Sequence, residues 1–105
     1  MGRNSVIKVI NDFIKKLSRD FTLQGVIMFG SQARGDANAR SDVDLIIVSK
    51  DFKKLKSYER SARMYDYWDV LIPVDFICYT PDEFKKLRNR ISLVSEALRE
   101  GIKIH

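Results

Sequence analysis

Cysteine is nearly missing from this chain, with one, Cys78, in 105 residues. A lone thiol excludes an internal disulfide and a cysteine-built metal cluster, which leaves Cys78 to be read as a small buried apolar residue on a strand. Two prolines and five glycines are too few for a collagenous or low-complexity chain. No apolar run approaches the roughly 18 residues of a membrane span, and the opening MGRNSVIKVINDFIKKL is interrupted by charge too often for a secretory signal. The expectation is a cytoplasmic protein with no membrane contact. The Gly-Lys-Ser/Thr of a Walker loop and the G-x-G-x-x-G of a dinucleotide-binding turn are also missing.

What is present is a soluble globular composition, 45% hydrophobic and 31% charged, in a length that suits a single domain over residues 1–105. The net charge of +5 would suit an anionic ligand. Lysines and arginines are nevertheless scattered among acids, so nucleic-acid binding is permitted by the charge and not indicated by its pattern.

Val6, Ile10, Phe13 and Leu17 recur at helical spacing and predict an amphipathic helix to about residue 19. QGVIMF (24–29) and SDVDLIIV (41–48) read as strands, the second with its acids at the entrance. Leu55, Tyr58, Ala62 and Tyr65 predict a helix over 53–67 with both tyrosines on its apolar face, and Tyr67 and Trp68 are left to cover an edge or a partner surface. VDFICY (74–79) is a third strand, and TPDEF after it combines Thr80, Pro81 and Glu83 as a capping box. A further helix ends near Gly101. The tail IKIH suggests a last edge strand, with His105 itself frayed.

Chemistry concentrates in FGSQARGDANARSDVDLIIV (29–48). Residues two apart on a strand share a face, so Asp42 and Asp44 are held together, and their repulsion is relieved by a divalent cation that uses both as oxygen ligands. Gly30 and Ser31 end a strand where the chain turns, a place where backbone N–H groups approach phosphate oxygens closely. Asp75 interrupts an apolar run, and an unpaired carboxylate buried there would be costly, so a shared cation is its natural partner. Three converging carboxylates equip a site for in-line phosphoryl or nucleotidyl transfer.

Gly30-Ser31, ten intervening residues, Asp42-x-Asp44 and Asp75 on a later strand resemble the DNA polymerase beta nucleotidyltransferase superfamily, and more narrowly its minimal nucleotidyltransferase (MNT) proteins. The resemblance implies an α+β nucleotidyltransferase fold, a small mixed β-sheet packed with helices on one side. It implies that Gly30 and Ser31 contact the nucleotide phosphates and that Asp42 and Asp44 ligate Mg2+. Asp75 becomes the third ligand or the group that activates the acceptor hydroxyl, and Arg34, directly after the turn, is placed to neutralise a triphosphate.

For a minimal member the resemblance further implies a HEPN-type helical partner protein, in a toxin–antitoxin pair where AMP from ATP is attached to a tyrosine hydroxyl. The expected enzyme is a Mg-dependent nucleotidyltransferase acting on a nucleoside triphosphate. The rival reading is a non-catalytic, nucleotide-binding protein that blocks a helical partner by binding. Base preference and homodimer formation are left open.

Overall fold

The computed structural model of the chain describes residues 3–34, 42–90 and 92–105. Helix α1 (Arg3–Leu17) leads through β1 (Leu23–Phe29) and α2 (Gly30–Arg34) to β2 (Val43–Ser49). A 3-10 turn (Lys50–Lys54) and α3 (Ser57–Tyr65) carry the chain across to β3 (Val74–Tyr79), and α4 (Pro81–Arg88), α5 (Leu93–Glu100) and β4 (Ile102–Lys103) complete it. The four strands form one mixed sheet in the order β3-β2-β1-β4, with β1 antiparallel to β2 and β4, and β2 parallel to β3.

Strand alternation divides the core into two layers. Val43, Leu45 and Ile47 of β2 face the cluster that contains the α1 stripe of Val6, Ile10, Phe13 and Leu17. Ile46 and Val48, one step out of phase, face a smaller cluster with Val94 and Ala97 of α5, flanked by Phe84 and Leu87 of α4. The small mixed sheet with packed helices is therefore as expected, with one correction: helices cover both faces rather than one. The physical cause is that 45–48 is apolar on both sides of the strand, as a strand buried on both faces must be.

The expected apolar face of α3 is rotated. Tyr58 is 71% exposed and Tyr65 is half-exposed, while Met64 is fully buried and Arg60 is 8% exposed. Arg60 is tolerated inside because its donors are used: Nε donates to the carbonyls of Phe52 (3.0 Å) and Leu55 (3.3 Å), and Nη1 to the carbonyl of Cys78 (3.4 Å) and to Glu83 (2.7 Å). A hydrophobicity pattern cannot register an arginine satisfied in this way. Trp68 packs edge-on against Phe13 and Phe76 and donates Nε1 to the Ile72 carbonyl, so it belongs to the core rather than to a partner surface.

The capping box at Thr80 is formed, with Glu83 N donating to Thr80 Oγ1 at 3.2 Å and Thr80 N to Glu83 Oε1 at 2.8 Å. The tail extends the sheet, and His105, expected to fray, exchanges backbone hydrogen bonds with Val26. Edge strand β3 has the carbonyl of Val74 accepting from the Tyr65 hydroxyl (2.7 Å) and that of Cys78 accepting from Arg60. Side chains from α3 thus occupy an edge that could otherwise pair with another chain. Cys78, expected to be buried, is only partly so.

Candidate active site

The site forms where β1 ends. Phe29, its last residue, is the register partner of Asp44, so the next residue, Gly30, turns directly beside that carboxylate. Gly30 has φ +75°, and a Cβ built on it would collide with Asp44 Oδ2 and lie 3.3 Å from Asp44 Cγ. Glycine is required twice at this position, by the left-handed backbone and by the close approach. Ser31 and Arg34 follow in α2, at its second and last positions.

Parallel pairing of β2 with β3 sets Asp44 opposite Asp75, with Val43 opposite Val74 on one side and Leu45 opposite Phe76 on the other. Registered residues of neighbouring strands share a face, so Asp44 and Asp75 lie side by side on the face that carries α4 and α5. Asp42 precedes β2 and is exposed; Asp44 is half-buried. Asp75, expected to be buried among apolar neighbours, is exposed. It sits near the start of an edge strand, and the cluster beneath α4 takes in Ile77 and Tyr79, further along. Its claim to the site rests on register with Asp44 rather than on any cost of burial.

Tyr65 is the neighbour that sequence reasoning misplaced. Its ring packs edge-on to Phe76 at 4.9 Å, and its hydroxyl is tied to Val74, the residue before Asp75. Burial pushes the phenol's pKa up, and the negative charges of Asp75 and Asp42 add to that shift. The field at this end of the sheet is thus negative, which favours a cation. No signal in the sequence distinguished Tyr65 from a core tyrosine, because its separation from Asp75 closes only when α3 folds back on β3.

Among the described residues no three His, Cys, Asp or Glu side chains are gathered into a ready-made metal cage. The three carboxylates expected to converge are thus not drawn into one ready-made group; magnesium typically takes one or two carboxylates and completes its octahedron with water and substrate phosphate oxygens. The donor chemistry of Asp42, Asp44 and Asp75 fits such an ion. No helix among the described residues is long and apolar enough to cross a membrane.

Comparison with known proteins bears on the family and the fold. Residues 10–102 match the nucleotidyltransferase domain family. A protein of Methanocaldococcus jannaschii, provisionally named a protein adenylyltransferase, is 31% identical over 105 residues, covering 94% of this chain and 98% of its own length. A crystal structure from Sulfolobus solfataricus, provisionally described as a nucleotidyltransferase, superposes with a TM-score of 0.69 at 22% identity, covering 96% of this chain and 80% of that one. A toxin–antitoxin crystal structure with AMP-PNP superposes with a TM-score of 0.52 at 22% identity, over 100% of this chain and 73% of that one. At these identities the two structures speak to the fold alone. The family match, spanning nearly the whole chain, goes further: the chain belongs to the nucleotidyltransferase domain family and is a nucleotidyltransferase enzyme.

Proposed function

We propose that the chain transfers AMP from ATP to a hydroxyl group, with Mg2+, and that the hydroxyl belongs to a HEPN-type helical partner in a toxin–antitoxin pair. The observation that carries this reading is the Gly30 turn seated on Asp44, with Asp75 in register beside it. The name of the M. jannaschii relative supports a protein acceptor, and the AMP-PNP-bound toxin–antitoxin neighbour supports the nucleotide and the pairing.

In this reading the backbone at Gly30 and Ser31 receives phosphate oxygens, and Arg34 adds positive charge to the triphosphate. Asp42 and Asp44 would hold the magnesium ion, with Asp75 as a third ligand or as the base for the acceptor. The bound ion supplies charge neutralisation on the triphosphate. The acceptor oxygen forms its bond to the α-phosphorus as its O–H proton passes to Asp75 or to water. The bond from the α-phosphorus to the bridging oxygen breaks, and pyrophosphate leaves.

The test begins with calorimetry of a non-hydrolysable ATP analogue, with and without magnesium, on the wild type and on Asp42→Asn/Asp44→Asn. Magnesium-dependent binding by the wild type alone is expected. ATP labelled at the α-phosphate should then leave label on a co-expressed partner, whereas γ-label should not transfer. Neutralisation of the partner that survives Asp44→Asn would instead favour the non-catalytic blocker.

A further inference from the structure

A depression of about 380 Å³ lies remote from the aspartates. It opens at the far end of the face that carries Asp44, where Val48 of β2 pairs with Gly25 of β1. Four residues along a strand separate Val48 from Asp44, or about 13 Å. Its volume falls in the range of small-molecule sites.

Its walls differ sharply in chemistry. The floor is apolar, with Ile27 and Val48 from the sheet and Phe84 from α4. The rim is cationic: Lys85 and Arg88 project from α4, and Lys103 comes from β4 on the opposite side. No Asp or Glu side chain lines it among the described residues, the main-chain oxygen of His105 at its edge accepts from Val26 N at 3.3 Å, and none of these three cations is in an ion pair with another described residue.

Gly25 makes the space. The β1–β2 register shifts between Leu23 and Gly25, an irregularity of the kind that re-aims a strand beside a functional site. Yet the fold does not demand glycine there. Its φ is not positive, and a Cβ would meet only ordinary contacts, the His105 carbonyl at 3.8 Å and Val48 at 3.9 Å. A side chain at position 25 would fit the backbone and fill the basin, so its absence leaves room that packing alone does not require.

We infer that this basin is a second binding site, for an organic anion whose apolar body lies over Ile27, Val48 and Phe84 and whose charged group meets Lys85, Arg88 and Lys103. Either a nucleoside monophosphate or a carboxylic acid with an alkyl or aryl body carries that chemistry. The site is independent of the aspartates and of what they catalyse.

The test is fluorescence titration of the full chain with anilinonaphthalene sulfonate, an aromatic anion of this type. Saturable binding at one site per chain is expected, weakened at least tenfold by Gly25→Leu and by Lys85→Glu/Arg88→Glu, and unchanged by Asp42→Asn/Asp44→Asn. The charge reversals lie on exposed positions and leave the core intact, so they remain informative if Gly25→Leu fails to fold. Displacement of the dye by AMP or by octanoate supports the site and identifies which source supplies the anion. Non-saturable binding, binding indifferent to these variants, or displacement by inorganic phosphate as strong as by either competitor would overturn the proposal.

Discussion

Replacing Gly30 by alanine tests the junction on which the site is built. Two costs arise, and they are separable. A φ of +75° in a residue with a Cβ costs about 1–2 kcal/mol. The new methyl group also collides with the Asp44 carboxylate, and pushing that side chain off its rotamer adds roughly 0.5–1.5 kcal/mol. The total of about 1.5–3.5 kcal/mol corresponds to a fall in Tm on the order of 10 °C for a domain of this size. Urea unfolding followed by circular dichroism reads the cost directly.

A double-mutant cycle isolates the second part. In an Asp44→Ala background the colliding oxygen is gone, and Asp44 Cβ lies 3.6 Å from the built atom, an ordinary contact. Gly30→Ala should then cost only the backbone portion, leaving a coupling of roughly 1 kcal/mol between the two positions. Gly25→Ala, with no positive φ and no close contact, is the control and should cost nothing measurable. Strict additivity of Gly30→Ala and Asp44→Ala, or a Gly30→Ala protein as stable as wild type, would refute the proposed contact between turn and carboxylate.

Three further outcomes are expected. Burial pushes the Glu83 carboxyl up, but hydrogen bonds from Thr80 and the Arg60 guanidinium more than offset this and hold its pKa below the ordinary value of 4.5. Its stabilisation is therefore complete above about pH 4.5 and lost as pH falls through the lower folded value, and Glu83→Gln should flatten that acid limb in pH-dependent urea melts. Burial pushes the Cys78 thiol up to about 12, against a smaller opposing effect of Arg60, so iodoacetamide at pH 8 should label it slowly in the fold and rapidly in urea. Met64→Ala should cost about 2–5 kcal/mol and Tyr58→Ala no more than about 0.5 kcal/mol, and equal costs would return α3 to the orientation its apolar spacing suggests.

The elements whose side-chain period was unambiguous were legible in the sequence. The α1 stripe, the strand 74–79 and the Thr80 capping box all stand where spacing and cap chemistry place them. Errors arose where a tertiary contact reversed a residue's ordinary preference. Arg60 is inside because the backbone turn at Phe52 and Leu55, together with Glu83, satisfies its donors, and its inward turn rotates Tyr58 into solvent. The expected start of the second strand at Ser41 lies outside the described residues, and β2 begins at Val43.

The candidate site was legible in its spacing and illegible in its assembly, for a topological reason. Ten residues between Gly30-Ser31 and Asp42 announce a turn and an acidic strand entrance, but which strand lies beside Asp44 depends on the crossover through α3. Had β3 paired antiparallel to β2, Asp75 would have faced the other end of the strand. Parallel pairing is what brings the two carboxylates to the same height, and the antiparallel β1–β2 hairpin then delivers Gly30 to Asp44 from the opposite side. Asp44 is therefore the hinge of the arrangement, because it is the acid that both neighbouring strands locate. Asp75 is located by one neighbouring strand and Asp42 precedes β2, and both are exposed. The same logic puts the basin at Gly25 on the opposite end of the same two strands, so an anion bound there and a nucleotide at Asp44 could occupy the chain together without contact.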